Sequence, residues 1–227
     1  MGRGSSRSRA ARPGPGFDPG HRGQVVTGRI NGGARMSDGM MTRVGAERTE
    51  ERLLARELAA AVAATSPTTA TYAVRFGRGD FGTFAAEPED DPLTEEVRQR
   101  IAPLLSATPE EEPVRILASK PLQQTSAYVT KGLLLTFSAT PDHEPEVEAL
   151  LMDAQPKATA EEGTAAWYAL RMANGDFGIF DVFPNRRSRL RHMTGGIPLE
   201  LAKRARSDLG GMPQTRFFDV VAATPGR

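Results

Sequence analysis

The sequence predicts an α+β protein made of two tandem ferredoxin-like units, each with the element order β-α-β-β-α-β. Three observations carry this prediction: an internal repeat, a hairpin signal in each copy of it, and amphipathic helical segments beside each hairpin. We expect a first, degenerate unit at residues 36–120, a linker at 121–130 and a second unit at 131–227.

The internal repeat pairs residues 68–84 (TTATYAVRFGRGDFGTF) with residues 164–180 (TAAWYALRMANGDFGIF). Ten of the seventeen positions are identical at a constant offset of 96 residues, which is far more than chance produces. The chain therefore contains a duplication.

Each copy of the repeat predicts a β-hairpin, because aromatic and β-branched segments flank a turn signal. In the second copy the turn is Asn174-Gly175, the usual sequence of a two-residue hairpin turn. That turn predicts a register with Tyr168 opposite Asp181 and Arg171 opposite Gly178. Both faces of the hairpin are mostly apolar, so we expect it to be covered on both sides.

The remaining elements follow from apolar spacing and helix-end signals. The second copy predicts a strand at 131–138, helices at 141–154 and 197–209, and a strand at 216–222. The first copy predicts a helix at 49–64, a helix that Asp91-Pro92 opens, and a strand at 114–119. Its opening strand, near 39–44, has the weakest pattern.

Composition excludes several classes of function. The chain has no cysteine and only three histidines, so disulfides, thiolate chemistry and a zinc cage are not expected. A net charge of +1 argues against a surface that is basic throughout, and no apolar run could span a membrane. We therefore expect a cytoplasmic protein with no metal and no nucleic-acid or membrane partner.

Residues 1–35 differ from the rest because they hold seven arginines and one acid among many Gly, Ser and Pro. Such a segment buries too little apolar surface to fold, so we expect a disordered tail. A polyanion-binding arm and a targeting peptide are the functional alternatives. Whether the tail belongs to the native protein is left open.

The stretch 131–223, with its strand KGLLLTF, its acidic helix, the entry EEGT and the hairpin, resembles the antibiotic biosynthesis monooxygenase (ABM) family. That family belongs to the dimeric α+β barrel superfamily. The resemblance implies that the two units form such a barrel within one chain, with a cavity between sheet and helices in each half. It also implies cofactor-independent oxidation of phenols, quinols or related small aromatic molecules, so no cofactor is expected.

The family's functional residues are not carried over. Ile179 and Phe183 occupy the positions where oxygenases of the family place an Asn and a Trp, and Ala202 occupies that of a heme-ligating His.

The candidate site is placed in the second copy, where the repeat has diverged. His192, Trp167 and Asp181 align with Glu96, Thr71 and Ala85. We expect His192, at the start of a helix, to act as general base towards a phenolic hydroxyl. The predicted catalytic residues are His192, Tyr168 and Asp181, and the predicted substrate-binding residues are Trp167, Arg171, Phe180 and Phe183.

Structural roles remain open for the same side chains: a surface or capping histidine, packing for Tyr168 and Trp167, and an ion pair for Arg171. The basic run 186–191 is interpreted as a solvated loop, with an anion patch as the alternative. Two functions stay open, a cofactor-independent monooxygenase and a non-catalytic ligand-binding or stress-associated protein. An enclosed pocket at His192, Tyr168 or Trp167 would favour the enzyme, and a filled interior would favour the binder.

Overall fold

Eight antiparallel strands form one closed barrel, and helices cover its outer surface. The structure, a computed structural model, describes residues 37–66, 69–87, 91–123, 128–196, 200, 203 and 207–225. The predicted tail and most of the predicted helix 197–209 lie outside the described residues. The strands are β1 Ser37–Gly45, β2 Thr71–Gly77, β3 Asp80–Ala85, β4 Glu110–Lys120, β5 Lys131–Phe137, β6 Ala166–Met172, β7 Phe177–Phe183 and β8 Gln214–Thr224.

Four helices lie within the described part of the chain: α1 Glu51–Ala63, α2 Glu95–Ile101, α3 Glu144–Ala160 and α4 Arg186–Met193. Thr94 caps α2 by accepting a hydrogen bond from the Val97 N–H, and Asn185 caps α4 by accepting one from the Ser188 N–H. The apolar stripe of α1 at Leu54, Leu58 and Val62 packs on the barrel, as its helical spacing predicts.

The strand order around the barrel is β1-β3-β2-β8-β5-β7-β6-β4, and β4 pairs with β1 to close it. The strands before residue 121 are therefore adjacent in the order β4-β1-β3-β2. Those after residue 130 are adjacent in the order β8-β5-β7-β6. Two pairings, β2 with β8 and β4 with β6, join the two sets.

Three hydrophobic clusters form the core. The first fills the barrel and is centred on four aromatic rings, those of Tyr72, Phe84, Tyr168 and Phe180. The second lies between α3 and the outer face of β6 and β7, and the third lies between α1, α2 and the outer face of β2 and β3. Both faces of each hairpin are thus largely buried, which explains why the hairpins are apolar on both sides.

The predicted α+β class and both hairpins are confirmed, with two corrections to the elements around them. The basic run at 186–191, for which the sequence predicted a loop, is the helix α4, and His192 lies at its end rather than at a helix start. β1 is a complete nine-residue strand despite its weak pattern. It pairs on both sides, with β3 and β4, so barrel closure compensates for Gly39 and Arg43 within it.

The predicted hairpin register was wrong by one residue. Tyr168 lies opposite Phe180, and Asp181 lies opposite Trp167. The turn has three residues, because the Met172 N–H donates to the Asp176 carbonyl and the Gly175 N–H donates to the Met172 carbonyl. Within this turn only Gly175 has a positive φ, 89°, whereas the predicted two-residue turn needs positive φ at Asn174 as well. A shift of one residue gives every residue of the hairpin a different cross-strand partner. Because side chains alternate between the two faces of a sheet, Tyr168 and Asp181 therefore lie on opposite faces.

Candidate functional site

A buried histidine, His192, lies between two carboxylates on the outer face of the barrel at β7. His192, 2% exposed, approaches Asp181 of β7 with 3.4 Å between Nε2 and Oδ2. Its Nδ1 lies 2.7 Å from a Glu161 carboxylate oxygen and 3.1 Å from the Thr164 hydroxyl. Each ring nitrogen therefore faces a carboxylate, an arrangement that suits an imidazolium with both nitrogens protonated.

The pKa values follow from this burial and pairing. Burial lowers the pKa of His192, but the hydrogen bonds and charges of Asp181 and then Glu161 outweigh burial and raise it to about 9. Burial also raises the pKa of Asp181, more than the hydrogen bond and charge of His192 lower it. His192 is consequently protonated at neutral pH, which is not the state of a general base.

Two polar atoms beside this pair are buried without a hydrogen-bond partner among the described residues. They are Oδ1 of Asp181 and Nε1 of Trp167. The two residues are direct cross-strand partners, so their side chains share the outer face. One is an acceptor and the other a donor, and together they present complementary polar groups in an apolar setting.

Three of the residues predicted for substrate binding lie on the outer face of the barrel, and the fourth, Phe180, lies in its interior. Phe183 lies beside His192, with 5.2 Å between ring centroids, and Trp167 lies on the same face. Arg171 shares that face but lies four residues along β6 from Trp167, roughly 13 Å away. It forms an ion pair with Glu144 and stacks 4.2 Å over the Phe177 ring.

Tyr168 and Phe180 face the barrel interior and do not join His192. The Tyr168 hydroxyl lies 3.1 Å from the Tyr72 hydroxyl, and both rings contact Phe84. Burial raises the pKa of both tyrosines. The predicted pairing of Tyr168 with Asp181 is therefore wrong, because the observed register separates them by the thickness of the sheet.

Sequence reasoning missed Glu161 and Thr164, which contact Nδ1 of His192. The run 161–164 indicated only the fold. Its proximity to His192 depends on packing between the end of α3 and α4, and no local pattern encodes that contact. The divergence of the two repeat copies was the available signal, because Glu161 aligns with Thr65 at the repeat offset.

Within the described residues, no group of three or more His, Asp or Glu side chains is arranged to hold a metal ion. No helix in that part of the chain is long and apolar enough to cross a membrane. In the part of the chain that the structure describes, four of the cavities on the barrel and its helices have walls formed by residues other than Trp167, Tyr168 and His192.

Solved structures share this fold at low sequence identity. A provisionally named monooxygenase from Fusobacterium nucleatum is 11% identical, with a TM-score of 0.70 over 83% of this chain and 94% of that chain. An anthrone oxidase-like protein is 14% identical, with a TM-score of 0.55 over 83% and 92% of the two chains. A ferredoxin-fold protein from Listeria monocytogenes, related to antibiotic biosynthesis monooxygenases, is 9% identical, with a TM-score of 0.54 over 82% and 95%.

No protein-family model matches the sequence, and no curated protein matches it either. These similarities show that the chain shares its closed α+β barrel fold with ABM-like ferredoxin-fold proteins, as its resemblance predicted. At these low sequence identities, the similarities establish the fold, and the chemistry has to be inferred from the residues of the site.

Proposed function

We propose that this chain is a cofactor-independent monooxygenase that oxidises a small aromatic or quinol-type substrate at the His192 cluster. The observation that supports it is a buried imidazolium between two carboxylates. An acceptor and a donor that have no partner in the described part of the chain lie next to it. Perturbed titratable groups of this kind cluster at functional sites. The monooxygenase-like fold is consistent with the proposal but does not assign a substrate.

In the proposed reaction, Asp181 rather than His192 accepts the phenolic proton. Its Oδ1 has no hydrogen-bond partner among the described residues, and its raised pKa makes it a stronger base than an ordinary aspartate. Trp167 Nε1 donates a hydrogen bond to the substrate oxygen, and the positive charge of His192 stabilises the resulting anion. Tyr168 and Phe180, which were predicted to take part, support the sheet from its other face.

The electron balance requires only O₂ and the substrate. The phenolate transfers electrons to O₂, and a new C–O bond forms a hydroperoxide on the substrate carbon. Loss of that carbon's remaining hydrogen together with cleavage of the O–O bond releases water and leaves a carbonyl group. One oxygen atom enters the product and the other leaves in the water.

A non-catalytic ligand-binding function is the second candidate, and the filled interior favours it. Four aromatic rings occupy the barrel centre, and Trp167 and His192 are almost completely buried. A substrate must therefore displace side chains such as Phe183 before it reaches Asp181. A binder would use the same face without oxygen chemistry.

We further propose that the barrel is the single-chain equivalent of a dimer, formed by tandem units at 36–120 and 131–227. The β2–β8 and β4–β6 pairings support this, because each has a register shift at the matching point of the repeat, at Ala73/Val74 and at Ala169/Leu170. Arg75 and Arg171, also matched, each pair with a glutamate in the first turn of a helix. One neighbour chain matches 83% of this chain, more than either half alone.

Oxygen consumption with a panel of hydroquinones tests the proposed activity. We expect Asp181→Asn to lower the rate by about 100-fold or more, which is typical for loss of a proton-transfer group. His192→Ala should lower it by about as much, because it removes the positive charge that stabilises the anion. Glu96→Ala is the matched control, because Glu96 aligns with His192 in the first copy and is exposed. Its rate should equal that of the wild type.

Equal rates in the wild type and both site variants would contradict the enzyme proposal. Trp167 is the only tryptophan, so its fluorescence reports binding at this face directly. Saturable quenching by a hydroquinone without oxygen consumption would favour the non-catalytic alternative.

A further inference from the structure

A cavity that is separate from the His192 cluster opens at the end of the barrel where the two hairpin turns lie. It has a volume of about 470 Å³, which suits a small ligand. Its inner wall is apolar and comes from four strands, with Val74, Leu134, Met172 and Phe180. All four residues belong to the cluster that fills the barrel, so the cavity ends on the barrel core.

The positive charges at the rim of this cavity are already neutralised in part. Arg43 and Arg216 both contact the Asp80 carboxylate, at 3.3 Å and 2.7 Å. Arg216 also stacks on the Phe76 ring, with 4.1 Å between the guanidinium carbon and the ring centroid. Both arginines therefore already have protein partners.

On β4, next to the strand that carries Arg43, the rim also has a carboxylate that forms no ion pair among the described residues. Glu112 of β4 lies opposite Met41 of β1 and precedes by two residues Val114, which faces the barrel interior. It is half-buried, and it has no ion pair among the described residues. Its neighbour Glu111, by contrast, lies 2.6 Å from Arg98.

The surroundings of Glu112 disfavour its negative charge unless a cation lies beside it. Burial and the nearby negative charge of Asp176 raise the pKa of Glu112. Asp176 is itself held by the Ser138 hydroxyl and the Asn174 amide, which are neutral donors. A cation placed beside Glu112 would offset both negative charges.

From these observations we propose that the barrel mouth binds a small apolar molecule that carries a protonated amino group. The ammonium group pairs with Glu112, and the apolar part lies against Met172, Leu134 and Phe180. A barrel mouth with an apolar wall and a few polar groups is a common place for a ligand site. This site is separate from the His192 cluster and does not depend on the oxygenase proposal.

Isothermal titration with three probes of equal chain length tests the proposal: n-hexylamine, hexan-1-ol and hexanoate, at pH 7 and low salt. We expect the wild-type protein to bind hexylammonium saturably and more tightly than the other two. Glu112→Gln should weaken hexylammonium binding by about tenfold or more, because it removes a charge-assisted hydrogen bond in a partly buried site. Glu111→Gln is the matched control and should change the affinity by less than about twofold.

Three results would overturn the proposal. The first is that hexylammonium shows no saturable binding to the wild type. The second is that hexan-1-ol or hexanoate binds as tightly as hexylammonium. The third is that Glu112→Gln and the wild type bind hexylammonium with equal affinity. Circular dichroism of both variants checks that the barrel is intact. None of the probes is an oxidisable phenol, so the result is independent of any oxygenase activity.

Discussion

At the scale of single residues, His192 is held in a charged state by its surroundings rather than by its exposure to water. Burial opposes the charge, and two carboxylates within 3.4 Å overcome that opposition. The sequence suggested a histidine that titrates near neutrality, whereas packing against the two carboxylates raises its pKa to about 9. The residue therefore contributes a positive charge at pH 7, and in the proposed reaction Asp181 accepts the proton.

Replacing His192 should alter the pH dependence of stability. Its pKa in the folded protein is about 9, above the ordinary value of 6.5 expected for the unfolded chain. A group with a raised folded pKa stabilises the fold fully below pH 6.5, and that stability is lost as pH rises through 9. We expect the advantage of wild type over His192→Gln in free energy of unfolding to be about 3 kcal/mol larger at pH 6 than at pH 10.

Urea unfolding at a series of pH values measures this difference. Leu190→Gln, on the exposed side of the same helix, should give a profile parallel to that of the wild type. A difference between His192→Gln and wild type that is constant with pH would show that folding does not change the pKa of His192, and a difference that shrinks as the pH falls would show that folding lowers it.

At the scale of elements, strand β5 lies in the barrel between β7 and β8, and its residue Gly132 lies against the Phe218 ring of β8. A Cβ atom at Gly132 would lie 2.0 Å from the Phe218 ring and 2.5 Å from the Asp181 carbonyl oxygen. Phe218 is 2% exposed and stacks on Phe180, so its ring has little room to move. The glycine thus allows a large aromatic ring to fill the barrel at this level.

Gly132→Ala should destabilise the protein by about 3 kcal/mol, because the added methyl group overpacks a filled core. Gly178→Ala on the neighbouring strand is the control, since its Cβ atom would meet its neighbours at 3.4 Å or more. Thermal or urea unfolding of both variants measures the effect. Equal stability of the two variants would mean that Phe218 is free to move.

At the scale of the whole molecule, the tyrosine pair in the barrel centre joins the two copies of the repeat. Tyr72 and Tyr168 occupy matching positions, and their hydroxyl groups lie 3.1 Å apart among apolar rings. Both side chains are almost completely buried. The pair is the polar contact at the centre of the cluster that fills the barrel.

A double-mutant cycle tests this contact. Tyr72→Phe and Tyr168→Phe should each cost about 1–2 kcal/mol, because each removes a hydrogen bond and leaves the other hydroxyl with fewer partners. The double variant should cost less than the sum of the two, since it leaves neither hydroxyl behind. Strictly additive costs, measured by urea unfolding, would show that the two hydroxyl groups do not interact.

The amino-acid sequence by itself determined the α+β class, the hairpins and the repeat. These follow from local patterns: apolar periodicity, turn residues and direct similarity between segments. It also located the divergent positions His192, Trp167 and Asp181, because a duplication reveals where its copies differ.

Only the tertiary structure decided the register, the faces and the partners. The three-residue turn at Gly175 separated Tyr168 from Asp181, although the sequence favoured a two-residue turn. Glu161 reaches His192 through packing between α3 and α4, which no local pattern records. The protonation state of His192 depends on this packing as well, because burial and neighbouring charges act only once the chain has folded.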